Sequence, residues 1–311
     1  MLACETVQDR PLEGLLVADL TRNLPGPFAS RELLRLGARV VRLESPDGDP
    51  VRDVAADWDA RLNAGKESVV CDLKAEPELG GALCARADVV LEGFRPGVAA
   101  RLGVGPDDLP ERTVYCSLRG YGGEDARAGH DLNYLGWAGA LASTAPTSPP
   151  VPVADLAGAL TIVARILAAL LERERTGRGA RIEVALTEVA RELAPFAGPL
   201  TGELACYRIY GTADGRHLTV AALEPRFWAR LVEVVERPDL IDRAADGHAE
   251  LEALFASRPL ADWLALFEGE DVAAGPVRTL EEAGLPALEG RPPALGEHTD
   301  AWRRELGLAA A

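Results

Sequence analysis

Five short apolar runs in the first 118 residues constrain the fold of this chain more than any other feature. They are Leu15–Leu20, Ala38–Glu44, Ser68–Leu73, Asp88–Phe94 and Thr113–Leu118. Each has the length of a strand and is mostly apolar on both alternating faces, so each reads as a strand covered on both sides. Helical spacing separates some of them, over Phe28–Leu36, which stops at Gly37, and over Glu76–Ala87. Buried strands alternating with helices imply an α/β fold with a mostly parallel sheet and a Rossmann-like first third.

A sheet of this kind receives ligands at the carboxyl ends of its strands, where loops and helix starts converge. The candidate loops are Asn23–Pro27, Ser45–Arg52 and Glu92–Gly97. The first is expected to be irregular, because two prolines flank Gly26. No Gly-x-Gly-x-x-Gly follows the first run and no Walker-type loop is present. A nicotinamide, flavin or P-loop site of the usual kind is therefore not expected. Arg42 and Arg95 stand at strand ends and are candidates for phosphate contacts, although a lone surface arginine is more often a solvated charge.

Further along, Arg181–Leu186 reads as another short strand or a helix entry, and Pro195, Gly198, Pro199 and Gly202 mark a linker. Cys206–Tyr210 and His217–Leu223 then flank Asp214-Gly215, a hairpin signal, and Pro225 suits the first position of a helix. The expected division is a large domain over 1–195, a small α+β domain over 196–285, and a C-terminal segment over 286–311 returning toward the large one.

Charge and cysteine usage exclude several classes. The net charge of −16 repels polyanions, so neither nucleic acid nor an anionic membrane is an expected partner. A phosphorylated ligand then needs a local basic pocket. The five cysteines are scattered without close pairs, which fits neither a disulfide framework nor zinc, and no His, Cys or carboxylate cluster has metal-ligand spacing. No signal segment opens the chain, and the apolar run Ile162–Leu171 is interrupted by Arg165 and reads as too short to span a bilayer. The expected setting is cytoplasmic.

Two proton-transfer groups remain. His130 and Asp155 each precede a predicted helix, with a proline-rich connector, Pro146–Pro152, between them. Each has an ordinary explanation: Asp is a favoured N-cap, and a histidine before a helix is often hydrogen-bonded in the interior.

The motifs around them carry a family likeness. Val17-Ala18-Asp19-Leu20 with Pro25-Gly26-Pro27-Phe28, Asn63-Ala64-Gly65-Lys66, Asp72-Leu73-Lys74, Glu92-Gly93-Phe94-Arg95-Pro96-Gly97, Gly129-His130-Asp131-Leu132-Asn133-Tyr134 and Arg173-Glu174-Arg175-Thr176-Gly177-Arg178-Gly179 occur in order. Together they resemble the family III coenzyme A transferases, and most closely the α-methylacyl-CoA racemases. The resemblance implies that fold in an interlocked homodimer and an acyl-CoA thioester as substrate. It implies no separate cofactor, coenzyme A being part of the substrate.

The resemblance also assigns residues. Asp155 falls at the catalytic aspartate, His130 at the histidine that marks the racemases, and Glu224 at that histidine's partner. Tyr134 falls at the substrate, and Arg42 and Arg95 near the coenzyme's nucleotide end. Racemisation beside a thioester removes a proton from one face and returns one to the other, so two acid/base groups must flank the carbon. Backbone N–H groups at the helix start after Asp155 are expected to steady the enolate. The alternatives are a transferase that acylates Asp155 and a CoA-binding protein without catalysis. The latter is motivated by a linker between Glu188 and Cys206 that is shorter than in the racemases.

Overall fold

The structure, a computed structural model, describes residues 10–196, 198–287 and 290–309. The chain forms two compact units, one of residues 1–141, 147–193 and 287–311, the other of 142–146 and 194–286. In the first, six strands are β1 (Leu16–Leu20), β2 (Arg39–Glu44), β3 (Glu67–Val70), β4 (Val89–Glu92), β5 (Val114–Arg119) and β6 (Arg181–Ala185). All pair in parallel, in the order β3-β2-β1-β4-β5-β6. This is the strand order of the doubly wound dinucleotide-binding sheets, and it reverses direction between β1 and β4.

The helices of this unit are α1 (Pro25–Arg35), α2 (Val51–Val54), α3 (Ala56–Asn63), α4 (Pro77–Arg86), α5 (Val98–Arg101), α6 (Asp131–Trp137), α7 (Val153–Thr176) and α8 (Leu186–Leu193). Leu33, Val40, Leu91, Ile162 and Ile166 fill the core on one face of the sheet, and Val41, Val69, Leu79, Leu83 and Val90 fill it on the other. Pro25-Gly26-Pro27, expected as loop, instead forms the first turn of α1. A proline there gives up an N–H that has no partner inside the helix anyway. α7 extends beyond the apolar run Ile162–Leu171 at both ends. Among the described residues it is the one helix long and apolar enough to cross a membrane by length and composition, which corrects the expectation that this run is too short. Its Ala159, Ile162, Ile166 and Leu170 stripe is buried in the core, where the helix packs on α1 and α8.

The second unit has an antiparallel sheet of β7 (Tyr207–Gly211), β8 (His217–Ala221) and β9 (Ala274–Pro276). Around it stand α9 (Pro225–Val234), α10 (His248–Phe255), α11 (Leu260–Phe267) and α12 (Leu280–Ala283). Trp228, Phe255 and Trp263 centre its core.

The chain then returns to the first unit with α13 (Thr299–Glu305). It seals the outer edge of β3, which would otherwise present open N–H and C=O groups. His298 N donates to Ser68 O at 2.9 Å, while Ser68 N donates to His298 Nδ1 at 3.2 Å and Val70 N to Thr299 Oγ1 at 3.0 Å. Trp302, fully buried, donates from Nε1 to Glu67 at 2.6 Å.

Candidate active site

A cleft of about 430 Å³ opens at the carboxyl ends of β1 and β4, where the strand order reverses. Thr21 and Arg22 line it after β1, Gly93, Phe94 and Arg95 after β4, and His130, Tyr134 and Asp155 from the starts of α6 and α7. A second cleft of about 380 Å³ shares Thr21, Arg22 and Phe94 with it and runs past the ends of β2 and β3 along Ser45, Asp49, Asp72 and Lys74.

His130 is the N-cap of α6 and is exposed, its backbone N–H donating to Asn133 Oδ1 at 3.0 Å. The exposed ring forms a capping box with Asn133 and borders the cleft, so the interior reading of this histidine does not hold. Gly129 just before it leaves room for two rings: a Cβ there would sit 2.8 Å from both Tyr121 Oη and Tyr134 Cε1. Tyr134 is buried behind, donating its hydroxyl to Gly129 O. Burial, with the charge of Asp155 nearby, pushes its phenol up to about 12, so it serves as a neutral donor.

Asp155 is not an N-cap. The helix begins at Val153, which places Asp155 in its first turn. Its backbone N–H donates to Asp131 Oδ1 at 3.0 Å, binding the start of α7 to the start of α6. The expected donors after Asp155 are therefore already engaged, since Leu156 N donates to Pro152 O at 3.1 Å. Burial and then the neighbouring charge of Asp131 push the Asp155 carboxyl up to about 7. A carboxyl that titrates near neutral pH can both accept and return a proton.

Asp131 thus acts on Asp155 twice, through a hydrogen bond and through charge. Asp131→Asn keeps the acceptor and removes the charge. The Asp155 titration is expected to move down from about 7 but to stay above the ordinary 3.8, because burial is the larger cause. Carboxyl-carbon NMR titration of the two proteins measures this directly.

The candidate phosphate contacts separate. Arg95 is exposed at the rim of the cleft with no carboxylate partner among the described residues. Arg42 corrects the expectation: it is 1% exposed and paired with Glu44 at 3.3 Å, Asp49 at 3.1 Å and Asp59 at 3.4 Å. Its charge is already neutralised below the surface, so it offers no face to an anion. Arg22 and Lys74, both exposed and without ion pairs among the described residues, stand at the clefts instead. The Asp72-Leu73-Lys74 motif was the available signal for Lys74. Glu224 belongs to the other unit, exposed at the N-cap of α9, with its side chain free of the cap.

The model of CoA-transferase family III matches residues 12–291. The chain belongs to that family. Family III relatives include human alpha-methylacyl-CoA racemase, 32% identical over 96% of this chain and 94% of the relative. They also include mouse succinyl-CoA:glutarate CoA-transferase, 31% identical over 88% of this chain and 73% of the relative. A solved CAIB/BAIF family protein from Brucella suis superposes with a TM-score of 0.82 and 27% identity, covering 96% of this chain and 100% of that one. Family III members of both kinds, racemase and transferase, are thus comparably similar to it, and acyl-CoA chemistry is common to them.

Proposed function

We propose that this family III protein is a racemase or epimerase of 2-methyl-branched acyl-CoA thioesters, working by two-base transfer of the α-proton through an enolate. The observation that carries the reading is that His130 and Asp155 border one cleft from two different helix starts, with Asp155 titrating near 7. One group takes the proton from the α-carbon and the other delivers one to the opposite face, so no further cofactor is required by the balance of the reaction. Tyr134 steadies the substrate from behind.

The coenzyme lies along the two connected clefts, its phosphates met by Arg22, Lys74 and Arg95 in a chain that is otherwise acidic. The protein works as an interlocked homodimer in which Glu224 from a second copy supports His130. An exposed apolar stripe on α7, with Leu160 at 56% and Leu171 at 69% exposure, supports association.

The second reading, a transferase that carries the acyl group on Asp155, draws on the transferase relatives; His130 favours racemisation. Incubation with 2-methylacyl-CoA in deuterated water separates them. Deuterium is expected at the α-carbon with no second carboxylic acid present, at a rate that His130→Ala abolishes. Exchange that requires an added carboxylate, with an acyl adduct on Asp155 by mass spectrometry, would establish the transferase instead.

A further inference from the structure

The wall of the cleft formed by Thr21 and Arg22 rests on a buried ionic group that does not touch the cleft. Lys66, just before β3, has a side chain with 0% exposure. Its ammonium donates to Pro27 O at 2.8 Å, Ser30 Oγ at 2.7 Å and Asn63 Oδ1 at 2.9 Å. Asp19, at the end of β1 and equally buried, lies 3.7 Å away. Its carboxylate accepts from Thr21 N at 2.9 Å, from the Thr21 hydroxyl and from the Ser30 hydroxyl.

Ser30 is therefore the joint, accepting from the lysine and donating to the aspartate. The Thr21 side chain is held so closely against the first turn of α1 that a Cβ at Gly26 would lie 2.0 Å from its hydroxyl oxygen. Thr21, the residue so held, lines both clefts, whereas Lys66, Asp19 and Ser30 line neither.

Burying an ammonium is costly, and burial pushes this one down to about 7. An apolar residue would fill the same space with less penalty. What the ionic group adds is direction: three acceptors around Lys66 and three donors on Asp19 leave the turn from β1 to α1 one arrangement.

We propose that Lys66, Asp19 and Ser30 are positioning residues that set the affinity of the cleft for the coenzyme end of its ligand, acting through Thr21 rather than on the reacting carbon. The proposal rests on the acyl-CoA reading above. The hydrogen bonds of the network converge on the turn from β1 to α1 and none involves His130 or Asp155, so its loss is expected to act on binding rather than on the reacting groups.

Coenzyme A itself is the probe. Ser30→Ala removes the joint and leaves both charged partners in place. Its dissociation constant by calorimetry is expected to rise about tenfold, the size of one hydrogen bond to a charged group. Deuterium exchange at saturating 2-methylacyl-CoA is expected to keep the wild-type rate. Lys66→Met, similar in volume, is the second variant and is expected to weaken binding at least as much. An unchanged dissociation constant in folded Ser30→Ala or Lys66→Met overturns the proposal, as does a slower exchange at saturation with affinity intact. If the wild-type chain takes up no coenzyme A, the acyl-CoA reading fails, and the proposal with it.

Discussion

Asp155→Asn is expected to lower α-proton exchange by about 10²- to 10⁴-fold, the usual contribution of a positioned acid/base group, and at the same time to make the protein more stable at pH 8. The first effect follows because the amide fills the same space beside α6 but neither accepts nor returns a proton. The second follows from the carboxyl's titration. Its value in the folded chain, about 7, lies above the ordinary 3.8, so the fold accommodates the protonated form and disfavours the ionised one. Below the ordinary value the group is protonated in both folded and unfolded chains and costs nothing. As pH rises through about 7 the folded chain is forced to ionise it, and that stability is lost. The amide is spared this. Its melting temperature should exceed that of the wild type by several degrees at pH 8, and the gap should close as pH falls toward 4. Calorimetric scans at the two pH values check it. A lower melting temperature at pH 8 would mean that the carboxylate makes a stabilising contact instead, and exchange at the wild-type rate would remove Asp155 from the chemistry.

Trp302→Ala is expected to have the largest effect on stability, about 3–5 kcal/mol, as for other fully buried tryptophans. The ring is 0% exposed, Arg39 stacks over it at 4.3 Å, and its N–H satisfies Glu67 on β3. Truncation leaves a cavity and removes the anchor that holds α13 against the sheet. Trp302→Phe keeps most of the ring and loses the hydrogen bond, so its cost should be nearer 1 kcal/mol plus the smaller volume change. Urea unfolding followed by circular dichroism measures both. Equal costs for the two substitutions would show that the hydrogen bond, and not the packing, is what matters.

The parallel sheet was legible because its strands are buried on both faces and so appear as unbroken apolar runs. The register of Val17 against Val40 and Val89 needs nothing beyond those runs to bury them all. β9 was not legible: Ala274-Gly275-Pro276 is three residues long, has no alternation, and becomes a strand only because β8 is there to pair with it. The turn at Pro25 misled because proline's effect depends on its distance from a helix start, which the spacing of Phe28–Leu36 set three residues too late.

At the candidate site, His130, Tyr134, Asp155 and Arg95 were found through motif likeness, and the cleft unites them. Arg42 failed for a physical reason. A charge at a strand end reads as accessible until the carboxylates of Asp49 and Asp59 fold over it, and both come from segments whose path no local pattern gives. Arg22 was passed over because nothing in Thr21-Arg22-Asn23 distinguishes a solvated arginine from one that overhangs two clefts.

The seal over β3 sets an order on how the molecule is made. Ser68 and Val70 leave the ribosome about 230 residues ahead of the segment that covers them, a delay of roughly 10–50 s at common elongation rates. During that interval the second unit is synthesised and can fold, while the first still carries an open strand edge able to pair with another nascent chain. The first unit to begin is the last to close, and the waiting edge is where a chaperone has reason to bind.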